Sequence, residues 1–289
     1  MNLKSFAKTA LFSATLLAPF TASASLLHFD LIPSTGIFQN VLDTDGAPIV
    51  ATNTDLGASF ESELVWSDEG GTSSSLTLNT IKSVDITTAG SPALLSTITH
   101  NNMVLQTPVA TLASGQIFGG LNLSSMFSLG EGRYKELPGS PTLGEVAEMV
   151  LASPDTPAML PGADIPNSIL SLFNFVFDET LNNASPCPYG DPNPCDDAFT
   201  AFLLGDIPLP IQIKLIIDSE AYMLTIFNTI NDPTGDFANA IMDQMFITME
   251  GEETVLYTFA QLMYVPEPAS LGILGLGLLG MAARRRLLS

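Results

Sequence analysis

Positive charge is what this sequence has least of. Among 289 residues, nine are Lys or Arg and 30 are Asp or Glu, a formal net charge of −21. Nucleic-acid binding draws on Lys and Arg to displace phosphate counterions, so the balance argues against that class of partner. Cysteine is nearly absent, with two residues, as are histidine, with two, and tryptophan, with one. Two cysteines with no second pair and no nearby His do not complete a zinc ligand set. No G-x-S-x-G elbow marks a nucleophile, and no other catalytic constellation stands out. Yet the chain is no acidic tail: 46% of its residues are hydrophobic and only 13% charged. Its length suffices to bury a core as one large or two small domains.

Both ends read as addresses. At the N-terminus Lys4 and Lys8 precede an apolar stretch from Ala10 to Phe20, and Ala22-Ser23-Ala24 supplies small residues at a cleavage position. Residues 1–24 are therefore expected to be a secretory signal removed by signal peptidase. At the C-terminus Ala269 to Ala283 is uncharged and is followed by Arg284, Arg285 and Arg286. As a helix these fifteen residues would reach only about 22 Å, against a hydrocarbon core of about 30 Å. The arginines would hold that end in the cytoplasm, and the short span suits a transient membrane anchor.

The order Pro266-Glu267-Pro268, short Gly/Leu-rich helix, Arg cluster resembles the PEP-CTERM sorting signal. The resemblance covers residues 265–289 and implies recognition by an exosortase in the inner membrane of a Gram-negative bacterium. It further implies cleavage near the tripeptide and release to the cell surface or the exopolysaccharide matrix.

The exported middle, residues 25–264, keeps four bases (Lys82, Arg133, Lys135 and Lys214) against 29 acids. Such a surface repels anionic polymers and attracts cations. Cys187 and Cys195 bracket a Pro- and Gly-rich turn and are expected to form a disulfide in an oxidising compartment. Alternation predicts strands at Phe60–Trp66 and Ser75–Ile81, and a hairpin in which Ile211, Ile213, Leu215 and Ile217 turn back through Tyr222, Leu224 and Ile226. A second hairpin is expected between Met245–Met249 and Thr254–Ala260, and Ile169–Phe177 reads as a central strand buried on both faces. One helix is expected over Thr142–Ala152, inside the Pro-rich stretch 138–166. The fold class that follows is all-β, an antiparallel β-sandwich with a short helical, Pro-rich insertion.

His100 ends an alternating run. As a catalytic base it would need a nucleophile and an orienting acid, and the sequence marks neither. Thr99-His100-Asn101-Asn102 resembles the signature of a PEP-CTERM subgroup named for a Thr-His-x-Asn motif. Phe177-Asp178-Glu179-Thr180, Asn182 and Cys187…Cys195-Asp196-Asp197 are similar to later segments of that group. The resemblance implies a secreted β domain with no assigned activity.

Calcium is the more credible chemistry, because hard cations seek clustered oxygen ligands. Three turns offer them: Asp43 and Asp45; Asn231, Asp232 and Asp236; and, best ordered by the disulfide, Asp191, Asn193, Asp196 and Asp197. The expected role is non-enzymatic, adhesion or matrix organisation on exopolysaccharide. The alternative is a secreted hydrolase of matrix polysaccharide, using two of the many carboxylates.

Overall fold

Apolar residues at every second position give strands such as Ser59–Ser67 and Ser73–Ile81 one face to bury, and in this protein such strands build two antiparallel sheets. The computed structural model describes residues 26–32, 35–87, 90–105, 110–122, 134–136, 168–180, 186–189, 195–203, 210–217, 220–241 and 245–265. In chain order the strands are β1 (Leu26–Leu31), β2 (Ile37–Asp43), β3 (Thr52–Asp55), β4 (Ser59–Ser67) and β5 (Ser73–Ile81). They continue with β6 (Ser83–Thr87), β7 (Ala93–Asn101), β8 (Leu112–Asn122), β9 (Tyr134–Glu136) and β10 (Ser168–Asp178). The last are β11 (Asp197–Leu203), β12 (Ile211–Ile217), β13 (Glu220–Ile230), β14 (Met245–Thr248) and β15 (Glu253–Tyr264). The only helical segment among the described residues is a 3-10 turn at Phe237–Asn239.

One sheet runs β14-β11-β10-β8-β1-β6, with β2 also paired to β8; the other runs β3-β4-β5-β7-β15-β13-β12-β9. Their inner faces meet in two apolar clusters. In the first, Leu27, Phe29 and Ile86 lie against Ile213, Leu215, Tyr222 and Leu262. In the second, Phe38, Phe175, Phe177 and Phe199 lie against Leu64, Trp66, Leu76 and Leu256. Each cluster draws on both sheets, which is the arrangement of a sandwich.

The strands expected at 60–66 and 75–81 are present as β4 and β5, with Leu64, Trp66, Leu76 and Leu78 facing inward. The hairpin β12–β13 has the expected register, Ile211 opposite Ile226 and Leu215 opposite Tyr222.

Two expectations are corrected. Met245–Thr248 does not pair with Thr254–Ala260: β14 pairs with β11 in the seven-stranded sheet, whereas β15 lies between β13 and β7 in the other. The segment Glu250–Glu252 therefore carries the chain from one sheet to the other, and the reason is burial. Thr248 and Glu250 point into the interior, a place that the tip of a two-stranded hairpin would leave in water. The second correction concerns β10, which is central as expected but not buried on both faces. Phe175 and Phe177 are buried while Val176 between them is 50% exposed. Where side chains are described, β10 alternates like an antiparallel strand with one wet face.

The signal segment 1–24, the helix expected over 142–152 and the apolar tail from Pro266 onward lie outside the described residues.

Candidate functional site

Five strand ends converge at one end of the sandwich. From the seven-stranded sheet come Glu179, just past β10; Asp197, the first residue of β11; and Thr248 and Glu250, at and beyond the end of β14. From the facing sheet come Trp66 of β4, His100 of β7 and Asn102 beyond it. One carboxylate oxygen each from Glu179, Asp197 and Glu250 lies within 4.8 Å of the other two.

Most of the cluster is withdrawn from solvent, with Glu179 half-buried. Asp197 and Asn102 are 0% exposed and His100 2%. The Trp66 indole N–H donates to Glu179 Oε2 at 2.9 Å. The Thr180 N–H donates to Asp197 Oδ1 at 2.8 Å, and the Thr180 hydroxyl donates to the Asp196 carbonyl at 2.7 Å. The Asn102 N–H donates to the Glu252 carbonyl at 3.1 Å, which clips β7 to the crossover segment carrying Glu250. Trp66 and His100 stack with ring centroids 5.8 Å apart, and Phe177 meets both edge-on, at 5.4 and 5.0 Å.

Burial sets the protonation chemistry. Removal from water pushes the Glu179 carboxyl up to about 8, with the charges of Asp197 and Glu250 adding to the effect. Burial likewise raises Asp197, to about 6, against the opposing hydrogen bonds from Thr180 and Asn102. The same desolvation acts on His100 in the other direction, lowering it to about 4, so the imidazole is neutral at pH 7. Neither ring nitrogen of His100 has a hydrogen-bond partner among the described residues. The neutral imidazole lies packed between the Trp66 and Phe177 rings.

The segments singled out in the sequence thus meet: His100 and Asn102, Phe177 to Thr180, and Cys195 to Asp197. Alternation puts Trp66 on a strand without revealing its donor role, and it misses Thr248 and Glu250, which it assigns to a hairpin. Glu250 carries no distinguishing signal: within Glu250-Gly251-Glu252-Glu253 it reads like any exposed turn acid.

The disulfide is formed, Cys187 to Cys195, with Cα atoms 5.3 Å apart. Cys195 is buried, and Tyr189 within the loop donates its hydroxyl to Asp178 at 2.7 Å. The bridge therefore fastens the start of β11 beside the end of β10, where Asp197 and Glu179 stand. Replacing both cysteines by serine is expected to cost about 2–3 kcal/mol in urea unfolding, the chain-entropy value for so short a loop. An unchanged midpoint would mean that the β10–β11 ladder and Thr180 suffice to hold the two strand ends.

Of the expected calcium ligands at this loop, Asp191 and Asn193 lie outside the described residues, and Asp197 turns inward to the buried cluster. The other two acidic turns use their carboxylates to hold the turns themselves. Asp43 accepts from the N–H groups of Asp45 and Ala47, and Asp232 from Thr234 and Asn239. Asp236 caps the 3-10 turn, and Asn231, at φ 51°, accepts from the Val255 N–H. His28 lies on the surface, its Nδ1 2.6 Å from Asp85 and its Nε2 3.2 Å from Asp30, and the hydrogen bond to Asp85 raises its pKa.

At the far end of the chain, β15 runs to Tyr264, and the Val265 N–H still donates to the Ala221 carbonyl at 2.8 Å. Residues 265–286 match the PEP-CTERM protein-sorting motif. This is an exosortase-sorted, exported protein. No curated protein matches the chain. The PEP-CTERM motif sends it to the cell surface, where a disulfide persists. The match covers the tail alone, so the chemistry of the sandwich is read from its own residues.

Proposed function

We propose that this PEP-CTERM protein acts non-enzymatically at the cell surface or in the extracellular matrix, through adhesion or matrix organisation. The observation that supports this is where its titratable side chains converge. Asp197 and His100 are buried and Glu179 is half-buried beside Trp66 and Phe177, a placement that suits holding strand ends together better than receiving a polysaccharide. The strands turn a polar, strongly acidic exterior to solvent, suited to partners that are neutral or bridged by cations. Removal of residues 1–24 by signal peptidase, a transient inner-membrane intermediate and kinship with the Thr-His-x-Asn subgroup belong to the same reading.

One observation favours the alternative of a hydrolase. Two carboxyls whose protonation is separated by environment are the acid–base arrangement that glycoside cleavage uses. Incubating the purified exported protein with matrix polysaccharide of its host distinguishes the two. Co-sedimentation without oligosaccharide release is expected; reducing ends that accumulate with time, and not in a Glu179→Gln variant, would overturn the proposal.

A further inference from the structure

Three carboxylates gathered within 4.8 Å form an electrostatically costly group, and acids alone do not define a site. A second feature stands beside them. Thr248 is directly opposite Asp197 in the β11–β14 ladder, so both side chains leave the sheet on the same face. Thr248 is 0% exposed, and its hydroxyl has no hydrogen-bond partner among the described residues. The same holds for Asn102 Oδ1, although Asn102 Nδ2 reaches the Thr248 carbonyl at 3.4 Å and bonds Asp197. Asp197 Oδ2 and Glu179 Oε1 are likewise without partners among the described residues. A buried hydroxyl or amide oxygen left so is unfavourable on its own, and here they border one acidic cluster.

We infer that Glu179, Asp197 and Glu250 hold a divalent cation of the hard, oxygen-seeking class, with Thr248 and Asn102 supplying neutral oxygens. The donor set is entirely oxygen, which selects calcium, magnesium or manganese over zinc or copper. Carboxylate oxygens within 4.8 Å of one another can close on any of these ions, and the number of oxygens at hand points to calcium. Three carboxylates and two neutral oxygens, with bidentate contacts, reach the six to eight ligands that calcium takes. The ion would offset the mutual repulsion of the acids and lock the ends of β10, β11 and β14 to β7 of the facing sheet. This site shares only Asp197 with the set read from the disulfide loop, and it is independent of what the outer surface binds.

Trp66 is the only tryptophan of the chain and donates to Glu179, so its fluorescence reports on the site directly. The full chain, stripped with chelator, is titrated with calcium chloride. A saturable change in Trp66 emission is expected. Melting should rise by about 5–10 °C at a hundredfold excess over the dissociation constant. Glu250→Gln and Glu179→Gln should each lose both responses, while Asp191→Asn keeps them. An unaltered emission and melting temperature of the unsubstituted protein in calcium, magnesium and manganese would overturn the site. So would responses that survive in the two glutamine variants, or that vanish only in Asp191→Asn.

Discussion

Phe175→Ala is expected to be the most damaging single substitution in the sandwich, costing about 3–5 kcal/mol and lowering the melting temperature by about 10 °C. The ring is 1% exposed, stacks on Phe199 at 5.4 Å and meets Phe38 edge-on at 6.0 Å. It also lies over a glycine chosen by its size. A Cβ on Gly115, in the neighbouring strand β8, would sit 2.6 Å from Phe175 Cζ and 2.9 Å from Val41 Cγ2. Alanine there would force the ring off its place, at about 1–3 kcal/mol. The two changes should not add. In the double variant the new methyl enters the space the ring vacates, so the combined cost should fall clearly below the sum. Urea unfolding of the four proteins checks this, and additive costs would show that the ring and the glycine are not coupled.

The second large effect is a dependence on pH centred on His100. Its pKa is about 4 in the folded chain against an ordinary 6.5, because burial disfavours the imidazolium. Between these values the unfolded chain binds a proton that the folded chain does not, so stability falls as pH drops from 6.5 to 4 and levels below that. The loss is about 3 kcal/mol. Glu179 and Asp197 act with the opposite sign. Their folded values are raised to about 8 and about 6, so each holds a proton that the unfolded chain has already released. Their contribution is present at acid pH and is lost as pH rises towards those values. Below pH 6 the histidine and the acids oppose one another, so the wild-type profile alone hides both. His100→Leu isolates the histidine. Measured in chelator, the variant should gain about 3 kcal/mol relative to wild type on moving from pH 7 to pH 4. Parallel profiles would mean that the imidazole is protonated within the fold.

Much of this architecture can be read from alternation alone. Leu76 and Leu78 of β5, or Ile211, Ile213 and Leu215 of β12, need only period two to declare a strand and its inner face. A four-residue strand such as β14 carries too little pattern to name its partner, and Gly251 among three glutamates looks like a tight turn whichever sheet follows. Partner choice is a matter of long-range packing, here of Phe246 against Phe199 at 4.8 Å, and no local rule contains it. The site shows the same division. His100, Asn102, Glu179 and Asp197 could be singled out as segments, but they are far apart in sequence and meet only after both sheets have closed. Glu250 and Thr248 carried no signal, since an acid and a threonine near a turn are ordinary, and their burial is a property of the crossover. The PEP-CTERM motif was legible because a protease reads it as sequence.

The sorting motif begins where β15 ends, and Val265, its first residue, is still hydrogen-bonded to β13. That strand lies in the interior of its sheet, flanked on both sides. Severing the chain just past this point would leave almost no dangling peptide for exopeptidases to nibble. It would also bring the cutting enzyme close to a finished sheet. Lengthening that joint with a glycine-serine spacer should therefore change how readily the protein is set free, without disturbing its fold.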